Sequence, residues 1–233
     1  MEAIGNQMFF KNKAESDESH WIPLADLMTG LMMIFMLIAI LYMSRINHVA
    51  SDYQDVKNNL GKTLCNEFAK NLGEWHAECD PQALVVRFNS PDVLFDTGES
   101  VLKPKFISIL DDFFPRYMNI IYSDKFKNSI EEIRIEGHTS SKWGQGLTSE
   151  NAYFANMQLS QARTQTVLEH VLTMPTIHHK DWLKKHVTAN GLSSSHPILN
   201  KDGSENSIAS QRVEIRIKTN ADNRLNEMFK VTQ

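Results

Sequence analysis

The chain has 233 residues, room for one spanning helix and one domain of ordinary size but cramped for two full globular domains. Its 24 Lys and Arg are scattered against 28 Asp and Glu, a formal net charge of −4. Nucleic acid is therefore excluded as a partner, because phosphate recognition needs a concentrated basic surface.

The first element in chain order is a tail, residues 1–20, in which Lys11 and Lys13 are mixed with Glu2, Glu15, Asp17 and Glu18. Next comes WIPLADLMTGLMMIFMLIAILYMS at 21–44, apolar throughout apart from one charged residue, Asp26. As a helix it would reach about 36 Å at about 1.5 Å per residue, enough for a hydrocarbon core of about 30 Å. It is too long for a signal-peptide core, and no small-residue cleavage pattern follows Tyr42, so it reads as an uncleaved anchor. Charge bias does not orient it, since Arg45, Lys57 and Lys62 beyond it roughly match the two lysines before it. A membrane aspartate costs on the order of 2.5–3.5 kcal/mol on insertion scales and survives where it faces a bundle interior and handles an ion. Asp26, Thr29, Gly30, Met33 and Leu37 share one helical face, and Ala25 with Thr29 permits close helix approach. Asp26 is expected to carry protons, with Thr29 beside it. The competing reading is an aspartate that caps the helix or reaches interfacial water.

Beyond the anchor, Val49, Tyr53, Val56, Leu60, Leu64, Phe68, Leu72 and Trp75 recur at steps of three or four, which predicts an amphipathic linker helix over 45–80. Its apolar stripe needs a partner, either a second copy or the following domain. Cys65 and Cys79 both lie past the anchor, and they read either as a disulfide of an oxidising compartment or as two buried thiols. A domain is expected over 81–222, followed by a tail at 223–233. Within it, 83–88 reads as a strand, and Pro104 opens a helix with Phe106, Ile109, Leu110, Phe113, Phe114 and Tyr117 on its apolar face. Ile133 and Ile135 alternate with charge up to Gly137, residues 138–150 form a loop, and a long helix covers 152–172 before Pro175. Trp182 and Leu183 mark a short helix, 187–191 a short strand, and Val213, Ile215 and Ile217 the last strand. The fold class is α/β: a single N-terminal transmembrane helix, an amphipathic linker helix and an α/β sandwich with helices covering one sheet.

Four segments, VLFDTGESVLKP (93–104), IRIEGHTS (133–140), NMQLSQAR (156–163) and SQRVEIRI (210–217), together resemble the peptidoglycan-binding domain shared by OmpA C-terminal regions, Pal and MotB. The resemblance implies a pocket for the carboxylates and amine of a meso-diaminopimelate stem, with Thr139, Ser140, Asn156, Leu159 and Arg163 at the binding positions. An arginine fork suits a carboxylate, and an acidic group suits the ammonium. This chain departs from the pattern at Ser140, where the family has Asp. A hydroxyl supplies no charge.

The membrane segment is similar to the MotB helix, and the loop HTSSKW at 138–143 makes the compact chain resemble the stator-like subunits of the Zorya anti-phage defence system. That resemblance implies a single-pass inner-membrane protein with a cytoplasmic N-terminus and a periplasmic C-terminal domain. It further implies a homodimer, a ZorA-like multi-span membrane partner, peptidoglycan as the anchor, and a proton-driven motor. A divergent flagellar stator subunit, a passive tether between inner membrane and wall, and a wall sensor whose stripe rearranges are the alternatives. No enzyme, cofactor or metal is expected, because His178, His179 and His186 lack supporting ligand spacing, and Ser140 and Ser160 lack a nucleophile motif.

Overall fold

The computed structural model describes residues 18–144 and 146–220, with side chains left aside at 18–20, 48–50, 52 and 53. The tail up to residue 17, the tail at 223–233, Gln145, and the side chains of Val49 and Tyr53 in the expected stripe lie outside the described residues. The chain divides into two units, one up to Ser51 and one from Asp52 onward.

In the first unit, helix α1 (Glu18–Phe68) contains a segment, Trp21–Asn47, long and apolar enough to cross a membrane, with a mean hydropathy of 2.3. Its large apolar side chains, Trp21, Met28, Phe35 and Leu41 among them, are all exposed, as lipid-facing side chains are. Pro23 is the sixth residue of α1, past the four N-terminal N–H groups that lack intrahelical acceptors, so it removes one hydrogen bond of the helix.

In the second unit, the expected linker helix is corrected. Helix α1 ends at Phe68, residues 69–76 turn, and Ala77–Asp80 form an edge strand, β1. The stripe finds its partner in the domain that follows: Leu60, Leu64, Phe68 and Trp75 are buried in the core, and Phe68 packs 4.7 Å from Phe113, centroid to centroid. Cys65 of α1 and Cys79 of β1 are joined by a disulfide with Cα atoms 5.5 Å apart.

Strand β2 (Val85–Phe88) is followed by the single turn α2 (Pro91–Leu94) and by α3 (Pro104–Ile121), which has Pro104 at its start and all six expected apolar residues buried. Then come β3 (Ile130–His138), α4 (Ser149–Thr173), α5 (Lys180–His186), β4 (Val187–Gly191), the turn α6 (Ser207–Ser210) and β5 (Arg212–Thr219). The sheet order is β1-β2-β5-β3-β4, antiparallel except for the parallel β3/β4 pair, whose connection is the α4–α5 crossover. In the register, Val86, Ile215 and Ile135 stand in one row under the helices, while the neighbouring row, Glu78, Arg87, Glu214 and Glu136, faces the other way. Alternation along each strand thus yields one apolar and one charged face.

Candidate functional site

The site forms where β3 ends against α4. Two glycines make that approach possible. A Cβ on Gly137 would lie 2.8 Å from the Ser160 carbonyl oxygen, and one on Gly191 would lie 2.4 Å from the Gln161 amide nitrogen. Side chains fasten the contact: the Ser193 amide donates to Ser160 Oγ (3.1 Å), and the Gly191 amide donates to Gln161 Oε1 (2.8 Å). Ser160 therefore holds the strand-to-loop junction while its motif neighbours are presented around it.

Arg163 and Asn156 lie about two turns apart on α4, on the face that meets β3. Arg163 is 8% exposed; its Nε donates to the Glu99 carbonyl (2.8 Å), Nη2 donates to the Asp96 carbonyl (3.1 Å), and the guanidinium lies 4.8 Å over the Phe95 ring. Among the described residues no carboxylate pairs with it, and burial lowers its pKa. A buried guanidinium without a counter-charge is costly, and its remaining N–H groups are an anchor for an incoming carboxylate. A narrow pocket between Phe95, His138, Arg163 and Arg212 opens beside it.

Thr139, Ser140 and Asn156 are buried nearby, and Leu159 is half-buried. Thr139 Oγ1, Asn156 Nδ2 and both ring nitrogens of His138 have no protein partner. Polar atoms left open in this way at one place in the fold are what a polar ligand would satisfy. Burial and then the Arg212 charge push the His138 pKa down to about 4, so the imidazole is neutral at physiological pH.

Under His138 lies a network the sequence did not foreshadow. Glu214, 1% exposed, accepts from Arg212 Nε (2.7 Å), Arg87 Nε (2.8 Å) and Arg216 Nη2 (2.7 Å), and Arg216 Nε also reaches Glu136 (3.0 Å). Burial raises the Glu214 pKa, but the hydrogen bonds from Arg212 and Arg87 outweigh it and hold the carboxyl at about 2. Glu136, His138 and Glu214 bring ligand atoms within 4.8 Å of one another. Their carboxylates are already taken by three guanidinium groups, which disfavours a metal ion there. His179 stacks on Tyr122 and His186 on Trp182, apart from any ligand set.

Asp26 and Thr29 lie on α1, in the other unit. The Thr29 hydroxyl donates to the Ala25 carbonyl (2.7 Å), so it is satisfied within its own helix, while Asp26 is exposed on the helix surface.

These features define the class of protein to which the chain belongs: an α/β domain, with a buried arginine at the β3–α4 junction that no carboxylate pairs with among the described residues, following one apolar helix of membrane-spanning length. The chain belongs to the ZorB family: it is 46% identical over 227 residues to the Zorya protein ZorB of the Crooks strain of Escherichia coli, covering 94% of each chain. It is 24% identical to the Zorya protein ZorB of Escherichia coli O139:H28, covering 92% of this chain and 87% of that one. Among solved structures it is similar to a MotB-like protein from Desulfovibrio vulgaris, with 20% identity, TM-score 0.49, and 72% and 94% of the two chains covered. The cell wall anchor of the T6SS from Pseudomonas aeruginosa matches with 19% identity, TM-score 0.47, and 67% and 96% covered. No protein-family model matches the chain.

Proposed function

We propose that this protein is the stator-like subunit of a proton-driven inner-membrane motor in anti-phage defence, with Asp26 as the ion-carrying group and the α/β domain as the peptidoglycan anchor. The observation that carries the reading is Asp26 itself, a carboxylate within a helical segment of mean hydropathy 2.3. Such a group is retained where it moves charge, and the electrical drive is about 2.3 kcal/mol per charge per 100 mV. The buried Arg163 supports the anchor, because it offers donors to a carboxylate and pairs with none among the described residues. The Cys65–Cys79 bond supports a periplasmic domain and therefore a cytoplasmic N-terminus. The partner is a ZorA-like multi-span protein, two copies of this chain enter each complex, and no catalytic step is assigned to it.

Phage protection by the native operon tests this, comparing wild type with Asp26→Asn and Arg163→Ala at matched protein levels. Protection should fall to that of cells lacking the operon for Asp26→Asn, and should fall for Arg163→Ala. Full protection by Asp26→Asn would return the protein to the class of passive tethers.

A further inference from the structure

At the position where the resembled family has its acidic residue, this chain has Ser140, buried and uncharged. The neighbouring residue, however, is bound to a carboxylate from elsewhere in the chain. The Ser141 amide donates to Glu205 Oε1 (2.9 Å), and the Ser141 hydroxyl donates to Glu205 Oε2. Sixty-four residues separate them, so only the fold brings Glu205 to the end of β3.

The segment that carries Glu205 is rigidly built. Leu199 and Glu205 form an antiparallel bridge across a turn in which the Asn200 amide donates to the Ser204 carbonyl (2.8 Å) and the Ser204 amide donates to Asp202 Oδ1 (2.9 Å). Gly203 takes φ 83°, a conformation open to glycine. On the far side, the Asn206 amide donates to the Ile198 carbonyl (2.8 Å), Asn206 caps α6, and the Ile198 amide donates to Ser210 Oγ (2.9 Å). Glu205 is half-buried, and among the described residues no Lys, Arg or His pairs with it.

Among the described residues, one end of β3 therefore has a buried guanidinium without a carboxylate, at the pocket wall formed by Gly137 and His138, and a carboxylate without a cation, at Ser141. A guanidinium and a carboxylate at the same end of β3, with Thr139 Oγ1 and Asn156 Nδ2 lacking partners there, are the two kinds of group that the zwitterionic end of an amino acid requires. We infer that Glu205 supplies the carboxylate that Ser140 lacks and accepts the free ammonium of a diamino-acid stem whose carboxylate is held by Arg163. This rests on the wall-anchor reading above and deepens it. Glu205 is then a specificity residue, since Arg163 selects any terminal carboxylate while Glu205 selects those that carry an amine.

The test is calorimetric titration of the full-length protein in detergent with a soluble stem peptide ending in meso-diaminopimelate, and with the same peptide acetylated on its free amine. Wild type should prefer the free amine about tenfold, the worth of one charge-assisted hydrogen bond. Glu205→Gln should erase that preference and leave binding of the acetylated peptide unchanged, and adding Ser140→Asp should restore it. A preference that survives Glu205→Gln overturns the assignment. So does an equal weakening toward both peptides, which would mean that Glu205 only fastens its loop. If wild type binds neither peptide, the wall-anchor reading falls and this inference with it. If Glu205→Gln acts as expected while Arg163→Ala changes nothing, only the role of Arg163 fails.

Discussion

His138 and Glu214 are ionisable groups buried side by side, and each is held in one protonation state by its surroundings. His138 is 5% exposed and faces the Arg212 charge, so burial and then that charge bring its pKa from 6.5 down to about 4. The unfolded chain then binds the proton more readily than the folded one between those values. Stability from this group is full above pH 6.5 and is lost as pH falls toward about 4, on the order of 3 kcal/mol in all. Glu214, held at about 2 against 4.5, contributes stability that is lost as pH falls from 4.5 toward about 2, so the two windows meet only near pH 4. His138→Gln should flatten the dependence of the urea midpoint on pH between 6.5 and 4, whereas a midpoint that still falls there would place the sensitive group elsewhere. At this scale the sequence was legible in part. Asn156 and Arg163 stand out in their motif, because both lie on one helix with fixed spacing. Glu205 carries no such mark, since its role depends on a loop that returns to β3 from 64 residues away.

Among the elements, long periodic helices were the easiest to read and short polar strands the hardest. Helix α3 has Pro104 at its first turn and its whole apolar set buried, as its spacing requires. Strand β1 lies within the span where the sequence predicts helix, because AECD has no alternating apolar pattern. Its conformation comes from pairing with β2, Cys79 opposite Val86 and Asp80 opposite Val85, a contact that no local propensity announces. The stripe ending at Trp75 continues past the helix end because its last members pack on α3 from a turn, with Arg116 lying 5.0 Å over Phe68 and paired with Glu67 (2.8 Å). The disulfide that closes this region removes loop entropy from the unfolded chain. Replacing Cys65 and Cys79 together with serine should cost about 3 kcal/mol, read as a lower denaturant midpoint. Reductant should lower the wild-type midpoint by a similar amount and leave the double variant unmoved; equal midpoints before and after reduction of wild type would count against the bond as a stabiliser.

For the whole molecule, the proposed proton-carrying role sets a requirement, because a single helix cannot enclose an ion path. The membrane-length segment exposes apolar side chains all around, and Asp26 among them, so if Asp26 carries protons as proposed, other helices must supply the niche in which its carboxylate gains and loses one. Purification from membranes under mild detergent should bring down a multi-span partner in fixed ratio, with native mass spectrometry giving two copies of this chain per complex. Recovery of a lone chain would favour the tether. If the domain holds the wall while the membrane end does work, the chain between them is under tension, and the Cys65–Cys79 bond decides where that tension runs. A pull arriving along α1 crosses from helix to sheet edge through two sulfur atoms, so residues 66–78 are bypassed and cannot be drawn out. Under such a pull the turn at 69–76 is, in mechanical terms, slack that bears no load.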